Sequence, residues 1–249
     1  MDSTAFESLV LEPAGVRDDS LPSQARATLD ERGFVVLPDL LSADALRELR
    51  CVFEDACNMP IDAGRAETGT RHPTDLSPLA VRLEACLSNA TVLAGIHHIL
   101  ERPFQVLHFG GRDPLPGFGA QGLHTDWMPR HPSEPYAVAT ALWTLDSFTP
   151  SNGATRVIPG SHRCPAQLPK SQRAPTSRHV DEQLVSAQAG SVLLLNGHLW
   201  HSGTRNDSSD QRRVIQIQFV ATALRPPHAA DFTAPADLTG PARHLLGAP

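Results

Sequence analysis

The stretch Gln121-Gly-Leu-His-Thr-Asp-Trp127 places an imidazole and a carboxylate two residues apart, with a tryptophan next door. In an extended strand residues i and i+2 share a face, so His124 and Asp126 would point the same way and Thr125 the other. Two side chains arranged like that can share one metal ion. The spacing alone is a weak signal, because histidine and aspartate are also common in turns. Its meaning depends on what the rest of the chain brings to it.

From Pro103 onward the sequence reads as short apolar runs separated by turn signals such as Asn152-Gly153, Ala189-Gly190 and Asn196-Gly197. Strands are expected at 104–109, 121–127, 136–146, 154–158, 183–187, 191–195, 199–202 and 212–221. Many short strands with such turns predict a sandwich or barrel. Residues 22–101 read instead as mainly helical. Ser42 is a cap for a helix over 43–57, with Leu46, Leu49, Val52, Phe53 and Ala56 on one face. Asn89 caps a second helix over 90–101, which must stop before Pro103. Gly33-Phe-Val-Val-Leu37 is a short strand ahead of both. Residues 60–76 read as a long polar loop placed to cover a site. The Pro-rich piece 163–179 reads as a surface insertion, and the tail 225–249 as a surface segment without a core role. One domain over 1–249 is expected.

Composition narrows the function classes. Of 249 residues, 41% are hydrophobic, enough for a sizeable core, and 19% are charged, too few for a disordered chain. A net charge of −6 with no basic run argues against a nucleic-acid or membrane-surface partner. The start lacks a basic segment followed by a long apolar run, so no secretory leader is expected. Cys51, Cys57, Cys86 and Cys164 show no Cys-x-x-Cys spacing. The first three fall on expected helices and read as small core residues. Reduced thiols and a cytoplasmic location are the expectation.

The second half supplies further ligand candidates in Asn196-Gly-His-Leu-Trp-His-Ser-Gly-Thr204, where His198 and His201 both qualify. Eleven residues beyond His201 lies Arg212, which a hairpin would return to the metal strand. Its planar fork suits a carboxylate. Two imidazoles and one carboxylate on an octahedral ion leave three open positions, the ligand set of non-haem Fe(II) oxygenases.

Read together, Gln121-Gly-Leu-His-Thr-Asp126, Trp143-Thr144, Asn152-Gly-Ala-Thr-Arg-Val-Ile-Pro-Gly-Ser-His162 and Ala189 through Gly203 with Arg212 beyond resemble the phytanoyl-CoA hydroxylase-like family of Fe(II)/2-oxoglutarate-dependent dioxygenases. The resemblance covers about residues 30–220. It implies a mainly β fold with flanking helices: a double-stranded β-helix, or jelly roll, with helices packed on one sheet. It also implies Fe(II) held by His124, Asp126 and His201, leaving His198 as a strand-end histidine. Arg212 would pair with the far carboxylate of 2-oxoglutarate. Trp143 would line the co-substrate pocket, with Gln121 and Thr155 as hydrogen-bonding candidates. Some relatives use a lysine near the co-substrate. The one lysine here, Lys170, lies in the insertion, so that contact is absent or replaced, with His108 and Arg112 as the candidate substitutes. Halogenating relatives replace the carboxylate ligand, and Asp126 speaks against that chemistry.

The expected activity is O2-dependent oxidation of a C–H bond in a small molecule, a bacterial natural-product or secondary-metabolite intermediate, with release of succinate and CO2. A zinc hydrolase using the same ligands would need a nearby general base, and no glutamate lies in the motif segments. A non-catalytic jelly-roll module is the other alternative. An acyl-CoA or carrier-bound substrate would want a basic entrance, which Arg71, Arg130, Arg156 and Arg163 leave open.

Overall fold

The computed structural model describes residues 1–59, 67–227, 229, 231–238 and 240–247. Its N-terminal part contains helices α1 (Ser3–Phe6), α2 (Ser23–Arg32), α3 (Ala43–Cys57), α4 (Glu84–Leu87) and α5 (Ala90–Leu100), with strands β1 (Phe34–Leu37) and β2 (Thr70–Arg71) between them. The remaining strands are β3 (Phe104–Pro114), β4 (Val138–Thr144), β5 (Thr155–Val157), β6 (Gln183–Leu184), β7 (Val192–Asn196), β8 (His201–Gly203) and β9 (Val214–Ala221), and α6 (Gly240–Leu245) follows.

Local chemistry sets the two main helices. Ser42 Oγ accepts from Ala45 N at 3.2 Å at the start of α3, and Asn89 Oδ1 accepts from Val92 N at 3.1 Å at the start of α5. Each satisfies one backbone donor that the first turn leaves unpaired. Leu49, Val52, Phe53 and Ala56 form the buried face of α3. Glu101 ends α5 in the left-handed region at φ 52°, just ahead of Pro103.

The strands form two sheets. The larger runs β1-β7-β4-β9-β3-β2 and the smaller β6-β5-β8, with antiparallel pairing throughout. Alternation along the large sheet explains its two buried faces. Ala139, Ala141, Trp143, Val192, Leu194, Ile215, Ile217 and Phe219 join the core shared with the helices. Leu142, Leu193, Leu195 and Val214 turn inward with Val157 of the small sheet. The result is the expected jelly roll with helices on one sheet. Among the described residues no single helix is long and apolar enough to cross a membrane.

Several sequence expectations need correction. Residues 121–127 are not a strand; they meet the small sheet through an isolated bridge between His124 and His201 and through Gln121, whose amide donates to Gly203 O at 3.0 Å. The tail does have a core role: Leu238, Ala242, Leu245 and Leu246 are buried with Phe6, Val10 and Leu11. The tail's Ala- and Pro-rich composition masked this apolar spacing. Cys51 lies on the exposed face of α3, and only Cys86 is fully buried. Of the long loop, 60–66 lies outside the described residues. Its later part contributes β2, which pairs with Asp113 and Pro114 of β3. Arg213, which its place next to Arg212 on a strand predicts to be a solvated surface residue, does face away from Arg212, but it contacts Asp146 at 2.8 Å and Glu54 at 2.9 Å, tying α3 to the sheet.

Candidate metal and co-substrate site

His124 and His201 sit opposite one another on adjoining backbones. Each amide donates to the other's carbonyl at 3.0 Å, and the two rings lie 4.6 Å apart between centroids. Asp126 N donates to Gly197 O at 2.7 Å, which anchors the end of the segment. These backbone bonds do what a regular strand would have done, bringing His124 and Asp126 to one side. The ligand atoms of His124, Asp126 and His201 all lie within 4.8 Å of one another, a spacing that one ion can bridge.

The surroundings orient each of these groups. His124 Nδ1 lies 2.9 Å from Gly122 O, and His201 Nδ1 lies 2.8 Å from Leu199 O. A carbonyl only accepts, so each Nδ1 carries the proton and each Nε2 keeps its lone pair. Burial, and then the neighbouring His201, lower the His124 pKa, which keeps that imidazole neutral. Thr140 Oγ1 donates to Asp126 Oδ2 at 2.8 Å, while Oδ1 lies 3.5 Å from His201 Nε2. Such a donor set fits a divalent transition metal.

A cavity of about 80 Å³ opens beside these three residues, between the sheets. Arg212, Thr155 and Gln121 line it, as expected, together with Arg112, Thr140 and Gln216. Arg212 is 2% exposed, lies 4.2 Å above the Phe148 ring and donates from Nη2 to Thr155 Oγ1 at 3.1 Å. Its Nε has no hydrogen-bond partner among the described residues. Among the described residues no carboxylate pairs with its guanidinium. Burial, and then the charge of Arg112, push its pKa down to about 9. A buried cation of this kind is costly unless an anion joins it.

Arg112 is differently placed. Its guanidinium forms a two-pronged pair with Glu67 and donates to Gly119 O at 3.2 Å. Gly203 makes room for it, since a Cβ there would lie 2.7 Å from Arg112 Nη1. Of the two expected lysine substitutes, Arg112 is the one at the cavity. His108 faces the roll interior opposite Gln218, 6.4 Å from the His72 ring, but does not line this cavity. Lys170 lies on a short 3-10 turn in the insertion and is exposed.

Trp143 is a correction. It is fully buried, but in the core beneath the helices. On β4 its alternate neighbours Thr140 and Leu142 point to the cavity, so the strand period turns Trp143 to the opposite face. Thr140 escaped the sequence reading. A lone hydroxyl at an inward position of the otherwise apolar run Val138-Ala-Thr-Ala-Leu142 was the available signal. Glu67 gave none.

A second cavity, of about 360 Å³, adjoins the other side of His124. Leu123, Trp127, Met128, Leu168 and Trp200 supply its apolar walls. The 163–179 segment is therefore a wall of the site. Its main chain packs directly on Gly122, where a Cβ would fall 1.7 Å from Arg173 O. Hence the glycine in Gln121-Gly122. His198 lines this cavity too, and its Nε2 accepts from Ala137 N at 3.2 Å. That bond occupies the lone pair a metal would need.

A jelly roll carrying two imidazoles and a carboxylate beside an unpaired buried arginine has the architecture of a 2-oxo-acid-dependent oxygenase. Comparison with known proteins agrees. The family model for phytanoyl-CoA dioxygenase (PhyH) matches residues 29–214, and the chain belongs to that family of Fe(II)- and 2-oxoglutarate-dependent dioxygenases. Dioxygenase trt7 of Aspergillus terreus is 28% identical over 227 residues, covering 82% of this chain and 75% of that one. Dioxygenase af480 of Aspergillus fumigatus is 30% identical over 227 residues, covering 85% and 71%. Among solved structures, HygX from Streptomyces hygroscopicus with nickel and 2-oxoglutarate bound shares the fold at TM-score 0.68 and 20% identity, covering 81% of this chain and 88% of that one. SnoK, a non-haem alpha-ketoglutarate-dependent carbocyclase from nogalamycin biosynthesis, does so at TM-score 0.62 and 17% identity, covering 80% and 84%.

Proposed function

We propose that this dioxygenase oxidises a C–H bond of a small natural-product intermediate, with Fe(II) held by His124, Asp126 and His201. 2-Oxoglutarate occupies the smaller cavity with its far carboxylate on Arg212 and Thr155, and the substrate occupies the larger one. The observation that carries this reading is Arg212: a buried guanidinium that pairs with no carboxylate among the described residues, lining the same small cavity as the three candidate ligands.

Fe(II), when bound, would supply O2 activation coupled to conversion of 2-oxoglutarate into succinate and CO2. The chain's own groups do the rest. Carbonyls at Gly122 and Leu199 hold the two imidazoles with Nε2 free. Thr140 fixes one oxygen of Asp126 and leaves the other available. Arg212 sets the orientation of the co-substrate from its far end, converting affinity into alignment. The apolar walls on the far side of His124 keep water from the reacting carbon. A zinc hydrolase would leave Arg212 without a role, and no glutamate lines either cavity among the described residues.

The test is anaerobic loading with Fe(II), followed by air and 2-oxoglutarate across a panel of small metabolites. Succinate formation stimulated by one panel class supports the reading. Absence of 2-oxoglutarate binding to metal-loaded protein by calorimetry overturns it.

A further inference from the structure

The larger cavity carries a charge pattern that its apolar walls do not require. Arg130 and Arg173 line it, and no aspartate or glutamate does among the described residues. Arg130 is held in place: its Nη1 donates to the carbonyls of His131 at 3.0 Å and Pro132 at 2.9 Å, and to that of Glu134. Its guanidinium carbon stacks 4.4 Å from the Tyr136 ring centroid. Main-chain carbonyls and a ring orient a cation without neutralising it, and among the described residues Nε has no hydrogen-bond partner. Arg173, at the rim, gives Nε and Nη2 to Leu168 O at 3.2 and 3.0 Å and, among the described residues, likewise pairs with no carboxylate. Arg71 and Arg156, by contrast, are taken up by acids: Arg71 by Glu54 and Asp113, Arg156 by Glu182.

Two oriented, unneutralised guanidiniums in a chamber whose lining is about equally polar and apolar favour one kind of guest. We propose that the substrate is a compact apolar skeleton bearing a carboxylate, with Arg130 as its main ion-pair partner and Arg173 at the mouth. A planar guanidinium matches a carboxylate in geometry. A chamber of about 360 Å³ suits a compact guest rather than a long carrier. This inference rests on the larger cavity being the substrate site, as proposed above.

The experiment uses full-length protein with Mn(II) and saturating 2-oxoglutarate, so that Arg212 is already engaged. Binding of mono- and polycyclic aliphatic and aromatic carboxylic acids, their methyl esters and their coenzyme A thioesters is followed by tryptophan fluorescence, since Trp127 and Trp200 line the chamber. The expected result is that at least one acid binds about tenfold or more tighter than its ester. Added salt narrows that gap. Arg130→Gln removes the preference while leaving ester affinity within about twofold, and Arg173→Gln reduces it by a smaller factor. Equal binding of acid and ester by the wild type, tighter binding of the thioester, displacement of 2-oxoglutarate by the acid, or no binding by any pair overturns the proposal. The wild-type comparison stands even if Arg130→Gln fails to fold. Calorimetric binding of Mn(II) and 2-oxoglutarate, measured first, separates failure of this inference from failure of the activity itself.

Discussion

His124 and His201 are joined by a reciprocal pair of backbone hydrogen bonds, each 3.0 Å long, although they lie 77 positions apart in sequence and 121–127 forms no strand. These main-chain bonds bring the two imidazoles close.

That pre-formed arrangement predicts separable losses. Asp126→Ala abolishes Mn(II) binding in calorimetry while circular dichroism stays unchanged. Thr140→Val keeps all three ligands but frees the Asp126 carboxylate to rotate, so metal affinity falls about tenfold. Unchanged affinity in Thr140→Val would remove that hydroxyl from the site's design.

Arg212 behaves as a cation awaiting an anion. Arg212→Met weakens 2-oxoglutarate binding by on the order of 3 kcal/mol, since one partner of a buried charge pair is lost. Metal binding is unchanged. Without co-substrate the variant melts no lower than wild type, because an unpaired buried charge has been replaced by an apolar chain of similar length. A marked fall in the melting temperature of the apo variant contradicts this account of Arg212.

Burial lowers His162 and His198 from the usual 6.5 to about 4. The unfolded chain thus binds more protons than the folded one between these values, so stability rises with pH through the window. It is fully present above 6.5 and is lost as pH falls toward 4. His124 shifts in the same direction. The arginine-paired carboxylates Glu54 and Asp146, also lowered, titrate below 4.5 and so act further down the scale. Thermal melts between pH 6.5 and 4.5 should show a falling midpoint, and the double variant His162→Gln/His198→Asn should flatten it. An unaltered slope would assign the acid sensitivity elsewhere.

Leu245 is fully buried against the N-terminal segment. Leu245→Ala should cost about 2–5 kcal/mol in urea unfolding, the range for a leucine removed from a packed core. A loss below about 0.5 kcal/mol, typical of surface positions, would return the tail to the surface role its composition suggested.

Legibility in the sequence followed the range of the forces involved. Helices α3 and α5 could be read to within a residue, because caps at Ser42 and Asn89 and the spacing of apolar residues act over one or two turns. The strands of the large sheet were legible from their alternation and turns. Family motifs pointed to His124, Asp126, His201 and Arg212 as one set. The 121–127 segment misled, because its side chains align through bonds to Gly197 and His201, which are far away in sequence.

By itself, then, the amino-acid order determined the jelly roll, the choice of His201 over His198 as the candidate ligand, and the family. Periodic patterns and short motifs carry that information locally. Only tertiary structure decided that Trp143 faces the helices, that Arg112 rather than His108 reaches the small cavity, that 163–179 walls the larger one, and that the tail packs into the core. Each of these depends on which face of one element meets another distant in sequence. Burial and charge pairing, which decide whether an arginine is spent on Glu182 like Arg156 or left open like Arg212, exist only after the chain has closed on itself.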